Sequence, residues 1–282
     1  MDQSMGELMN HTADMGQAQM FSKAWYNEYF RRAAESPTHS RFCEAVYGRD
    51  LCQHGMMDTD EMDFLASLLK PGEKVLEVGC SNGYITEYLH QRTACTIRGV
   101  DYSDVAIAQA QRRTQGKAPA LDFRCVDLIH DELPGGDYDV ILAIDSIYFM
   151  GDYGATLAKL NAKLAPGGRM IVAAFQAKEE NDPDTILLPG HTRMAETLQG
   201  LSFRYTQHDF TANIRNHWIK NYEFSRTLQP EFAAEGNEFL CEARMAENGW
   251  FKDHAERGTL VRFLYVIDHN PNLAPPGLQG AR

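Results

Sequence analysis

No run of apolar residues in this chain reaches the ~18–20 that a membrane-spanning helix needs, so no membrane partner is expected. The opening Met1-Asp2-Gln3-Ser4-Met5-Gly6 is polar and offers no apolar signal segment. Paired cysteines are missing as well. Cys43, Cys52, Cys80, Cys95, Cys125 and Cys241 form no C-x-x-C. That removes a zinc or other metal framework and reads as reduced, buried thiols in a cytoplasmic protein. Positive charge is scarce, with 27 Lys and Arg against 39 Asp and Glu, a net charge of −12. A nucleic-acid partner would need a concentrated basic face, so none is expected. Internal repeats are absent.

What remains is an ordinary globular composition, 44% hydrophobic and 23% charged over 282 residues. That length suits one large core or one domain with a sizeable insertion. The chain can be read outward from Lys74–Thr86, Lys-Val-Leu-Glu-Val-Gly-Cys-Ser-Asn-Gly-Tyr-Ile-Thr. Val75, Leu76 and Val78 make a strand, Gly79-Cys80-Ser81-Asn82-Gly83 a tight loop, and Tyr84 onward a helix. Such a loop brings backbone N–H groups and a helix N-terminus to a ligand. A dinucleotide fingerprint reads G-x-G-x-x-G. The E-x-G-x-x-x-G spacing found here points instead to a nucleoside without a pyrophosphate.

Before that loop, residues 1–16 are polar and expected to be mobile. Residues 17–70 read as three helices, the last opened by Asp58 and Glu61 as a capping box and closed by Pro71-Gly72. After the loop, strands and helices alternate. Cys95–Val100 ends in Asp101, Leu121–Val126 in Asp127, Tyr138–Ile144 in Asp145, and Met170–Phe175 follows Pro166-Gly167-Gly168. Alternation of this kind predicts an α/β fold with a doubly wound parallel sheet. Ligands in such sheets bind beyond the carboxyl ends of the strands. Glu77, Gly79, Asp101, Asp127 and Asp145 all fall there. Beyond Phe175 the pattern predicts a helix over His191–Leu198 and a strand over Leu201–Phe210. Two aromatic-rich helices follow, Thr211–Phe232 and Asn237–Asn248, and then a strand over 258–267. The tail from about residue 269 is expected to be disordered.

With these pieces in place, the chain resembles the class I S-adenosylmethionine-dependent methyltransferases, most specifically over Lys74–Phe175. The matching segments are Val-Leu-Glu-Val-Gly-Cys-Ser-Asn-Gly, Gly-Val-Asp-Tyr-Ser, the Val-Asp-Leu at 126–128, Tyr-Asp-Val-Ile-Leu-Ala-Ile-Asp and Leu-Ala-Pro-Gly-Gly-Arg. The resemblance implies a Rossmann-like seven-stranded sheet with the last strand antiparallel. The core would run over 71–268, with a helical lid at 17–70 and a helical cap inserted at about 211–257. It implies S-adenosylmethionine as cofactor. Glu77, Gly79, Cys80, Ser81, Asn82 and Gly83 would lie at its methionyl end, and Asp101 on the ribose hydroxyls. Tyr102, Asp127 and Leu128 would lie at the adenine, and Asp145 and Ser146 near the sulfonium. An acid at a strand end suits hydroxyl and amino donors.

Tyr47-Gly48 leading to Gln53-His54-Gly55 resembles small-molecule methyltransferases of the sarcosine, phosphoethanolamine and tocopherol kind. Tyr26, Tyr29, Tyr47 and His54 thereby become candidates for the lid and acceptor wall, joined by Phe149, Trp218 and Tyr222. An alcohol or ammonium acceptor must also lose a proton. His191, His217 and Tyr148 are the candidate catalytic groups, with His54 and His254 as further histidines. Each histidine alone reads as readily as a structural or exposed residue. Asp145-Ser146-Ile147-Tyr148 is not the Asp/Asn-Pro-Pro-Tyr of amino-methylating DNA enzymes. No Pro-Cys is present for cytosine methylation, and the loop after strand four lacks the paired glutamates of arginine methyltransferases. The reading is N- or O-methylation of a small molecule. C-methylation of an isoprenoid diphosphate, through Arg193, Arg204, Arg215 and Lys220, is the alternative. A non-catalytic cofactor-binding regulator is the alternative of another class. A homodimer remains open as an assembly.

Overall fold

The computed structural model describes residues 20–273. The mobile segment expected at 1–16, and residues 274–282 of the expected disordered tail, lie outside the described residues. Residues 269–273 are held. His269 donates its N–H to Gly168 O, and Asn270 exchanges hydrogen bonds with the Asn161 side chain at 2.8 Å each.

Seven strands form one sheet: β1 (Lys74–Val78), β2 (Thr96–Asp101), β3 (Leu121–Cys125), β4 (Tyr138–Ile144), β5 (Leu164–Ala177), β6 (Tyr205–Asp209) and β7 (Leu260–Asp268). Their order is β3-β2-β1-β4-β5-β7-β6. β1 to β5 pair in parallel, and β7 runs antiparallel to both β5 and β6. The last strand is therefore antiparallel, as expected. β1 lies between β2 and β4, so the chain winds outward in both directions from it. The crevice at that switch point is where such sheets hold ligands.

Side chains alternate between the two faces with the period of a strand. Leu76, Val78, Ile141, Ala143, Met170 and Val172 pack toward α6 (Tyr153–Asn161), α7 (Arg193–Gly200) and the cap. Val75, Ile97, Val140, Leu142, Ile171 and Ala173 pack toward α3 (Thr59–Ser67), α4 (Tyr84–Thr93) and α5 (Asp104–Arg113). Both faces are covered, which explains why the strands read as near-continuous apolar runs.

The N-terminal helices α1 (Lys23–Ala33) and α2 (Pro37–Tyr47) share a core with the cap helices α8 (Thr211–Thr227), α9 (Gln229–Ala234) and α10 (Glu238–Arg257). Tyr29, Phe30, Phe42, Val46, Phe232 and Leu240 are all buried in it. Each such side chain contributes about 1.5–3 kcal/mol on burial. The N-terminal and late helices therefore pack as one apolar body. α1 starts at Ser22, whose hydroxyl accepts the Trp25 N–H, and residues 17–19 of the helical stretch expected here lie outside the described residues. α10 runs past the expected stop at Asn248 to Arg257. Gly249 lies inside it with open space around, and the true terminator is Gly258 at φ 72°. β6 is shorter than expected, because Gly200 to Ser202 close α7 by a turn.

Candidate active site

One cavity of about 500 Å³ opens at the carboxyl ends of β1, β2 and β4, roofed by α1 and the loop before α3. Its floor is the glycine loop. Gly79 N and Cys80 N donate to Val100 O at 2.8 and 3.0 Å, folding the loop onto the end of β2. Gly79 has φ 74°, and a Cβ there would stand 2.4 Å from Cβ of Ser146. Only glycine fits. Gly83, at φ 73°, packs against Phe123 behind the wall, so of the predicted loop residues it alone does not line the cavity.

The acids are placed by the same loop. Asp101 ends β2, and its two carboxylate oxygens accept the N–H groups of Ser81 and Ser103, each at 2.9 Å. Its orientation is fixed with a lone pair left on each oxygen. Burial pushes its carboxyl up, against those two N–H bonds. Glu77 is buried, with Oε2 lacking a partner, and burial pushes its carboxyl up to about 7. Such an orphan oxygen is costly unless a donor meets it. Asp127 takes the Ile129 N–H on Oδ1 and lines the cavity beside Leu128, while Tyr102 donates its hydroxyl to Phe21 O in the lid. Ser146 donates to Val78 O at 2.8 Å.

Asp145 also lines the cavity, but its carboxylate is engaged. It accepts both Nη groups of the fully buried Arg262 and the N–H of Met56. Its part is to clamp the loop before α3 onto the sheet.

Several predicted acceptor residues meet here. Tyr26, His54, Tyr148, Phe149 and Trp218 line the cavity. The Tyr26 ring lies 5.8 Å from Tyr102, 5.6 Å from His54 and 6.4 Å from Phe149, linking both ends of the roof. Tyr148 takes the Phe175 N–H on its hydroxyl at 2.6 Å, which pins the end of β5. Others stand back. Tyr29 stacks on Trp25 and Tyr47 lies beside His217, in the row behind the wall. His217 is buried behind Trp218 and kept neutral, burial and the nearby Arg244 pushing its imidazole well below its usual range. Tyr222 lies under Arg226 and Lys252, away from the cavity. His191 is exposed and stands before Thr192, the cap of α7. It does not line the cavity.

Sequence reasoning missed Phe21, Met56, Phe175, Glu247 and Phe251, which also line the cavity, and Arg244 and Arg262 behind it. A signal existed for the α10 group. Leu240, Arg244, Glu247, Phe251 and Ala255 recur at helical spacing and are all buried. Charges inside a core stripe mark a buried polar site.

Residues 75–168 match the family described as a methyltransferase domain. The phosphoethanolamine N-methyltransferase 1 of Arabidopsis thaliana is 29% identical over 133 residues, 47% of this chain and 27% of that protein. The chain thus spans about a quarter of the length of that relative. Among solved structures, phosphoethanolamine N-methyltransferase 2 of Haemonchus contortus, with phosphomonomethylethanolamine and S-adenosylhomocysteine, gives a TM-score of 0.63 at 13% identity. That match covers 87% of this chain and 60% of the other. A geranyl diphosphate methyltransferase with GPP and sinefungin gives 0.61 at 15% identity, covering 88% and 100%. These similarities carry the fold. Over residues 75–168 the chain is thus similar to methyltransferase domains, and its seven-stranded sheet shares the fold of these solved methyltransferases.

Proposed function

We propose that this protein transfers the methyl group of S-adenosylmethionine to a nitrogen or oxygen of a small molecule. The observation that carries the reading is the pairing of Asp101 with Glu77 across the glycine loop. One acid is aimed by two backbone N–H groups, and the other is buried with an orphan oxygen. Asp101 would take the ribose hydroxyls and Glu77 the cofactor's amino group. Gly79 and Cys80 would pass close to its methionyl chain, with Ser81 and Asn82 completing the loop. Tyr102, Asp127 and Leu128 would hold the adenine, and Ser146 would stand at the sulfonium end. When bound, the cofactor supplies an electrophilic methyl carbon. The chain's own residues orient the two reactants in line and exclude water, which is the main demand of such a displacement. Phe21, Tyr26 and Phe149 form the roof that does so.

Two of the structural neighbours are named for acceptors that carry phosphate or diphosphate. No Lys or Arg lines this cavity among the described residues, and residues 1–19 contain neither. That supports a small organic acceptor without phosphate over the isoprenoid diphosphate alternative. The test is transfer of labelled methyl from S-adenosylmethionine into a panel of amines, phenols, alcohols and prenyl diphosphates. Label in an amine, phenol or alcohol is the result expected. Tight cofactor binding with no labelled product would favour a non-catalytic regulator, and label only in a prenyl product would favour C-methylation.

A further inference from the structure

One acid on the cavity wall has no part in holding the cofactor. Glu247 lies on α10, with its side chain 9% exposed. Within 4.0 Å its carboxylate meets one ionisable group among the described residues, Nε2 of His54 at 3.8 Å, beyond hydrogen-bond reach, while the Arg244 cation pulls on it from further off. That Nε2 is itself buried without a partner. Arg244, one turn back on the same helix, does not fill the gap. Its guanidinium donates to Tyr29 Oη, Gln53 O and His54 O. Arg244 therefore holds the backbone that presents His54, and leaves Glu247 facing the cavity. Tyr26, Tyr148, Phe149, Phe175, Trp218 and Phe251 supply aromatic walls. Trp218 and Phe251 are stacked at 4.0 Å, which fixes both rings. The site is also near the cofactor's reactive end. His54 precedes Gly55 and Met56, and Met56 N is bonded to Asp145 at the end of β4.

Resting on the methyl-transfer reading, we propose that Glu247 and His54 form the acceptor site, and that the acceptor is a primary or secondary amine on an apolar body. It enters as the ammonium. A buried carboxylate without a donor is destabilising, and an ammonium relieves that while aromatic faces attract it. A phosphate has no cation on the cavity wall to meet, and an alcohol brings the carboxylate no charge-assisted donor. The ammonium gives one proton to a Glu247 carboxylate oxygen. The freed nitrogen lone pair forms the N–C bond as the C–S bond breaks, its electron pair going to sulfur. The products are a methylated ammonium and a neutral thioether, and the proton on Glu247 leaves to solvent with them. A further N–H of the amine faces the lone pair of His54 Nε2.

The experiment is calorimetric titration of the full chain, saturated with S-adenosylhomocysteine, by matched probes. These are 2-phenylethylamine, 2-phenylethanol and 2-phenylethyl phosphate, and the same three groups on an n-hexyl chain. The amine should bind at least tenfold more tightly than the alcohol on one body or both, with no heat from the phosphates. Glu247→Gln should erase that preference and leave affinity for S-adenosylhomocysteine within twofold. Alcohols or phosphates binding as well as amines, no heat from either amine, or a preference that survives in Glu247→Gln would each overturn the proposal. The wild-type series decides the matter even if the variant fails to fold. Failure of S-adenosylhomocysteine itself to bind would instead sink the methyl-transfer reading.

Discussion

The carboxylate of Asp145 takes both Nη groups of Arg262, at 2.5 and 3.1 Å, while its Oδ2 accepts the Met56 N–H at 2.8 Å. Nε of Arg262 donates to Glu61 at 2.7 Å, and all three side chains are buried. One cation thus ties β7 to β4, to α3 and to the loop that roofs the cavity. Asp145 sits at φ 50°, a left-handed conformation more readily held by Asp or Asn than by most residues. Removing one member of a buried ionic group costs about 3–5 kcal/mol, because the remaining charges lose their partner. Arg262→Leu should therefore lower folding stability by about that amount in urea unfolding, and weaken cofactor binding as the roof loosens. An unchanged urea midpoint would show that the triad carries no stability.

Gly79→Ala tests the floor. The added methyl meets Cβ of Ser146 at 2.4 Å, closer than real side-chain contacts allow, and the backbone there is left-handed. Cofactor affinity should fall by tenfold or more. Adding Ser146→Gly removes the clash but not the backbone strain, so the double variant should recover part of the loss. Equal affinities for the single variant and the wild type would remove Gly79 from the binding floor.

His191→Ala should leave kcat and KM within twofold of wild type, because the ring is exposed and off the cavity. A large fall in kcat, measured with any accepted substrate, would restore it as a catalytic group.

The pH profile follows Glu247. Burial pushes its carboxyl up to about 7 against the pull of Arg244. The groups around it hold still. His54 is kept neutral by burial and Arg244, and the Tyr26 and Tyr47 hydroxyls are pushed up by burial. Glu247 must be charged to hold an ammonium and take its proton. With S-adenosylmethionine saturating, so that Glu77 is already met by its donor, kcat/KM for an amine should therefore fall about tenfold per pH unit below about 7. Glu247→Gln should abolish that limb as well as lowering kcat/KM. A variant that retains the same acid limb would assign it to another group.

The floor of the cavity was legible because its signals are local. Glu77, Asp101 and Asp127 each stand at or beside a strand end, next to a turn that a few residues specify. The antiparallel last strand was legible through the family resemblance. The wall formed by α10 and the loop before α3 depends on long-range packing. Glu247 meets His54 only because α10 packs against the lid, and Arg262 reads as an oddity in an apolar strand until Glu61 and Asp145 close around it. His191 shows the same limit, since its place after β5 in the chain does not put it on the cavity wall.

The central claim is that Asp101 and the glycine loop hold S-adenosylmethionine, and calorimetric titration of the full chain and of Asp101→Ala tests it most directly. The account predicts one cofactor per wild-type chain. It predicts affinity about 5- to 150-fold weaker in the variant, the cost of about 1–3 kcal/mol for leaving the ribose hydroxyls unpaired. No binding to the wild type, or the same dissociation constant for both proteins, would contradict it.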